Sequence, residues 1–225
     1  MIVKRLHLTQ VQASPNHFVH SAHTITLIGH RMKSLRIAMA GVALPVALAA
    51  QQRAAPQANP MTAAFKTRIA TFHRNIAQAF DSIPESKFGY KPTPAQLTFG
   101  FIAQHVASDS YLFCSNFGVM KPTIEAKDTS TPDSVKATWP KAELVSKLKA
   151  SFAFCEQAIE QVTDATLPGA ISFTYGGAER KSTRVSMVLL HALDLADHYS
   201  QIANYMRLNG MLPPSALPRP GRGGN

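Results

Sequence analysis

Four segments of this chain carry apolar residues at intervals of three and four, a period that a helix uses and a strand does not. In the first, Phe65, Ile69, Phe72, Ile76, Phe80 and Ile83 mark one helical face, and Pro84 ends the run. The second opens at Thr98, a residue type that caps helix N-termini, and sets Ile102, His105, Asp109 and Leu112 on one side. The third begins at Pro140, which a first turn tolerates, and shows Leu144, Leu148, Phe152, Cys155, Ile159 and Val162. The fourth runs from Thr183 to Asn209, with Gly210 where helices commonly close. The expected fold class is therefore all-α: a four-helix bundle with a long crossover between helices two and three. Residues 118–139 are long enough to span such a bundle and let those two helices run parallel. Between helices three and four, residues 171–178 alternate and then turn at Gly176-Gly177, which predicts a short hairpin.

The net charge of +10 suggests a nucleic-acid partner until it is divided along the chain. Six of the 23 Lys and Arg residues (Lys4, Arg5, Arg31, Lys33, Arg36, Arg53) fall in residues 1–60, where there is no Asp or Glu. Seventeen basic against 13 acidic residues remain, without runs, so no nucleic-acid footprint is expected.

The basic start of residues 32–50, followed by a short apolar run and the small residues Ala47 and Ala49, reads as a secretory signal peptide cleaved near Ala49 or Ala50. The run is short for a membrane span and contains Pro45, and no cysteine stands at the cleavage point, so no stable membrane anchor is expected. Signals begin at the initiator methionine. Residues 1–31 are thus read as a disordered gene-model extension, with translation starting at Met32; their histidines (His7, His17, His20, His23, His30) lack the spacing of a metal-gathering tract. Residues 51–60 form a polar linker, 61–216 the bundle and 217–225 a disordered tail. An exported chain with Cys114 and Cys155 as its only cysteines has two options, a disulfide or two small core fillers.

Asp194 and His198 lie four residues apart on the last helix, so they project from one face and can grip one cation. A third ligand is needed, and His105 is the histidine of another apolar helix that could supply it. Two imidazoles and a carboxylate would leave positions open for water, as in catalytic zinc sites and iron facial triads. His191 competes for the same role. It stands three residues before Asp194 and seven before His198, so one ion can use Asp194 with either histidine but hardly with both. The alternative without a metal pairs Asp194 with an Arg or Lys and satisfies the histidines by hydrogen bonds. Asp109 is read as hydrogen-bonded or solvated rather than as a fourth donor, His73 as a flank residue beside the first stripe, and Met187, Met206 and Met211 as packing.

Lys91-Pro-Thr-Pro94, Phe99-Gly-Phe-Ile-Ala-Gln-His105, Tyr111-Leu-Phe-Cys114 and, above all, Asp197-His198-Tyr-Ser-Gln-Ile-Ala-Asn-Tyr-Met-Arg-Leu-Asn-Gly210 resemble the DinB-like proteins over about residues 61–216. The resemblance implies a four-helix bundle in which one histidine of the second helix and an HxxxH pair of the last hold a divalent ion. His105 and His198 match the outer positions; the middle one is Asp194, a departure, and Ser200 stands where the family usually has Gly.

The function expected from this is an exported metal-dependent hydrolase that activates water at His105, Asp194 and His198, with zinc, nickel, iron or manganese as cofactor. The alternatives are a non-catalytic bundle with a vestigial or structural metal site and a thiol-dependent transferase, as in some branches of the family. The expected partners are an unspecified small-molecule substrate and, as one option, a second copy of the chain in a homodimer.

Overall fold

The computed structural model describes residues 58–218; the signal segment, the upstream extension, most of the linker and the end of the tail lie outside these residues. The described residues are mostly helical, with six α-helices and one two-stranded sheet among them. Four helices are long: α1 (Pro60–Ser82), α2 (Phe99–Cys114), α5 (Lys141–Ile159) and α6 (Arg184–Leu208). The connection after α2 is less bare than its composition suggested, for it holds the short helices α3 (Ala126–Ser130) and α4 (Asp133–Lys136). Lys147 ties this segment down by pairing with Glu125 at 3.2 Å and Asp128 at 2.9 Å. No helix among the described residues is long and apolar enough to cross a membrane.

Caps and a close approach set the helix positions. Thr98 accepts a hydrogen bond from the Phe101 amide at 3.1 Å, and Thr183 accepts one from the Ser186 amide at 3.3 Å, so both helices that carry candidate ligands start where a threonine stops them fraying. Helix α1 begins at Pro60, one residue inside the segment read as linker, and is capped from far along the chain. Asp164 accepts from the Thr62 amide at 2.8 Å, the Thr62 hydroxyl at 2.7 Å and the Met61 amide at 3.1 Å, while its own amide donates to Asn59 Oδ1 at 3.0 Å. At Gly100 a β-carbon would lie 2.2 Å from the Ala137 carbonyl oxygen, so only glycine lets the first turn of α2 seat against the segment that leads into α5.

The other end of α2 is bonded to α5 by a disulfide between Cys114 and Cys155, whose Cα atoms are 5.2 Å apart. With both ends of α2 matched to the corresponding ends of α5, the two helices run in the same direction. Helix α6 packs on α1 and α2, and α1 also meets α5. The core has an aromatic layer at one end, where Phe99 meets Phe80 at 6.4 Å and Tyr205 at 5.5 Å between ring centres. Strands β1 (Ala170–Tyr175) and β2 (Ala178–Thr183) form an antiparallel hairpin that pairs Tyr175 with Ala178. Its two turn residues, Gly176 and Gly177, have φ of 59° and 75°, the left-handed pair that such tight turns require.

Candidate metal site

Helices α2 and α6 cross so that His105, Asp194 and His198 converge, each offering a ligand atom within 4.8 Å of the others. Ligand atoms held at about 2.0–2.2 Å from one ion lie roughly 3–4 Å apart, so a small contraction of this trio fits a first-row divalent ion. His198 Nε2 is already 3.4 Å from Asp194 Oδ1, and the His105 and His198 rings meet edge to face at 4.9 Å. Asp194 Oδ2 and His198 Nδ1 are buried with no hydrogen-bond partner among the described residues. A carboxylate oxygen without a donor is costly to bury, and a cation between these side chains would satisfy it. Among the described residues no Lys or Arg pairs with Asp194, so the reading in which it forms an ordinary salt bridge does not describe this structure.

The site grades from interior to solvent. His198 is 8% exposed, Asp194 19% and His105 33%, so an occupant would be gripped from the α6 side and reachable past His105. Asp109, one turn beyond His105, sits at that edge with its Oδ2 3.3 Å from His105 Nε2, outside the converging trio. Burial pushes the Asp109 carboxyl above its ordinary range, with His105 opposing and the Asp194 charge adding to the rise. For His198, burial pulls the imidazole down, but the hydrogen bond and charge of Asp194 outweigh it and leave the group above 6.5.

His191, the competing histidine, stands outside the converging trio. It faces away from Asp194, across to α1, where its Nε2 lies 3.3 Å from His73 Nε2. His73 is thus not the flank residue its neighbours suggested but 2% exposed, on the buried line Ile69, His73, Ile76, Phe80. The 4-3-4 spacing of that line was the available signal, and the adjacent Phe72 drew attention from it. Met187 and Met206 are buried, and Met211 packs partly against the core.

A separate cavity of about 160 Å³ lies on another side of α2, lined by Gln104, Tyr111, Trp139 and Leu144, and none of the three converging residues lines it.

The sequence pattern of the DinB superfamily matches residues 68–202, which include the whole trio. Among solved structures, a DinB-like protein from Bacillus cereus ATCC 10987 is similar at 16% identity with a TM-score of 0.52, covering 67% of this chain and 93% of that one. A conserved protein from Enterococcus faecalis is similar at 16% identity with a TM-score of 0.48, covering 65% of this chain and 95% of that one. No curated protein matches the sequence.

Proposed function

This chain belongs to the DinB superfamily, and from that premise we propose that it is an exported metal-dependent hydrolase whose ion is held by His105, Asp194 and His198. The single observation that carries the reading is the convergence of three ligand atoms from α2 and α6 at a place that opens to solvent past His105. On this reading the four long helices are the four-helix bundle, with the α2–α5 connection as its crossover, and residues 32–50 direct export.

The ligand set suits zinc, iron, nickel or manganese, each of which supplies Lewis acidity and acidifies bound water. What the chain contributes is position. Asp194 brings the negative charge that offsets a cation, and its place on the same helical face as His198 fixes the bite of the pair. His105 closes the set from the facing helix. Asp109, at the solvent edge beside His105, is the carboxylate placed to accept a proton from an attacking nucleophile. The substrate is a small molecule that approaches over this edge.

Purification of the protein from its own exported fraction, followed by metal analysis, tests the reading. One divalent ion per chain, removed by chelator together with hydrolysis of a chromogenic ester panel, is the expected result. An ion that raises the melting temperature without supporting any turnover would turn the site into a structural staple. N-terminal sequencing of the same sample should begin near residue 50 or 51; a retained Met1 would end the export reading.

A further inference from the structure

Three potential ligands also converge in the core, away from the site above. His73 on α1, Cys155 on α5 and His191 on α6 each place a nitrogen or sulfur within 4.8 Å of the other two, and all three residues are buried. The facing Nε2 atoms of the histidines are 3.3 Å apart, while two nitrogens bound to one ion at about 2.0–2.1 Å sit roughly 3.3–3.6 Å apart at tetrahedral or trigonal angles. Glu156 Oε1 lies 3.4 Å from His73 Nδ1 and accepts a hydrogen bond from the Nδ1–H tautomer, which leaves the Nε2 lone pair facing inward; a carboxylate behind an imidazole is how metal-ligating histidines are commonly aimed. His191 Nδ1 is buried without a partner among the described residues. Burial holds His73 down at about 3 and His191 well below its ordinary value, so both imidazoles are neutral at neutral pH and each has one lone pair; that of His191 faces His73 once its proton moves to Nδ1.

Cys155 has two exclusive fates. Bridged to Cys114, its sulfur carries neither proton nor charge, and its 3.2 Å approach to the Ser110 carbonyl oxygen is a contact rather than a hydrogen bond. Reduced, it is a thiol in reach of both histidines. We propose that opening the Cys114–Cys155 bond creates an interior His73–Cys155–His191 site for a soft monovalent cation, copper(I), which the disulfide form does not possess. The walls decide the charge of the occupant. Phe152 stacks on His73 at 4.1 Å, and Phe113 and Phe117 each lie 5.8 Å from His191, so aromatic rings wall the site. One thiolate with copper(I) is neutral overall, whereas a divalent ion would leave a buried positive charge. Thiolate and imidazole are also ligands that copper(I) accepts.

The chemistry balances with a dithiol reductant. Two electrons from the dithiol break the S–S bond, two protons go to Cys114 and Cys155, and the dithiol leaves as a cyclic disulfide. Binding then releases the Cys155 proton to solvent. Both sulfurs are shielded, with Cys114 0% and Cys155 1% exposed, so reduction proceeds through local opening of the α2–α5 contact.

The test uses the full chain carrying Cys114→Ser, which frees Cys155 without reductant. Titrated anaerobically with copper(I) delivered from a chromogenic chelator, it should take up copper that X-ray absorption shows bound to one sulfur and two imidazoles. The added substitution Cys155→Ser should remove the sulfur, His73→Gln with His191→Gln should weaken uptake at least tenfold, and oxidised wild-type protein should show no sulfur on copper. Folded Cys114→Ser that binds copper without sulfur, or equally well without the two histidines, overturns the proposal. If Cys114→Ser does not fold, dithiol-reduced wild type decides instead: copper(I) should raise its melting temperature and leave that of the oxidised protein unchanged through this site, and no difference between the two overturns it.

Discussion

His191 Nε2 faces His73 Nε2 at 3.3 Å, and this pairing removes His191 from the neighbourhood of Asp194 although it stands only one turn before it on α6. The consequence is a register that substitution can check. His198→Ala should abolish metal retention at the α2–α6 site, whereas His191→Ala should leave it intact and instead lower stability by about 1–3 kcal/mol through the buried His73 Nε2 it leaves without a partner. Metal content and urea denaturation of the two variants separate these effects. The reverse pattern would place the ligand set nearly two turns away.

Asp194 should tolerate a histidine and not an alanine. Asp194→Ala leaves two imidazoles and no balancing charge, so chelator competition should show tight binding lost. Asp194→His restores the ligand set usual in the family, and affinity for zinc or nickel should hold or rise.

The metal-free site should respond to pH through His198. Its folded value lies above 6.5, so its protonation contributes stability that is full below 6.5 and is lost as pH rises through the folded value. The melting temperature of chelator-treated protein should therefore decline across that window. Metal affinity should move the opposite way, since the ion competes with the same proton. His198→Gln should flatten both trends.

Removing the disulfide should be costly. The bridge joins residues 41 apart, and a loop of that length corresponds to about 4 kcal/mol of chain entropy withheld from the unfolded state. Cys114→Ser with Cys155→Ser, compared with wild type in urea, should show a loss of that order; a change below about 1 kcal/mol would mean that the α2–α5 packing needs no bond.

The parts of the fold visible in the sequence are those fixed by neighbours along the chain. The apolar period located the long helices, Thr98 and Thr183 announced two of their starts, and Gly176-Gly177 marked the hairpin turn. His105, Asp194 and His198 were readable as a candidate set, with spacing alone leaving His191 in competition and the resemblance to the DinB-like proteins favouring His198. What spacing cannot show is that His191 faces His73 on α1 while His198 faces His105 on α2. Both contacts are long-range. The burial of His73 was missed because two adjacent residues, Phe72 and His73, fit the helical period almost equally well, and only the position of α5 and α6 decides between them. The role of Asp164 was invisible for the same reason, since its partner Thr62 is 102 residues away.

The clasp between Asp164 and the first turn of α1 makes that helix portable. Its opening amides at Met61 and Thr62 are met by Asp164, and that of Ala63 by the Asn59 carbonyl at 2.9 Å, so every one of these partners lies at or after residue 59. A fusion partner or cleavage site joined ahead of residue 58 would meet a helix whose start is already finished. That makes the position a natural attachment point for affinity handles or surface immobilisation, where the junction sequence can be chosen for convenience rather than for folding.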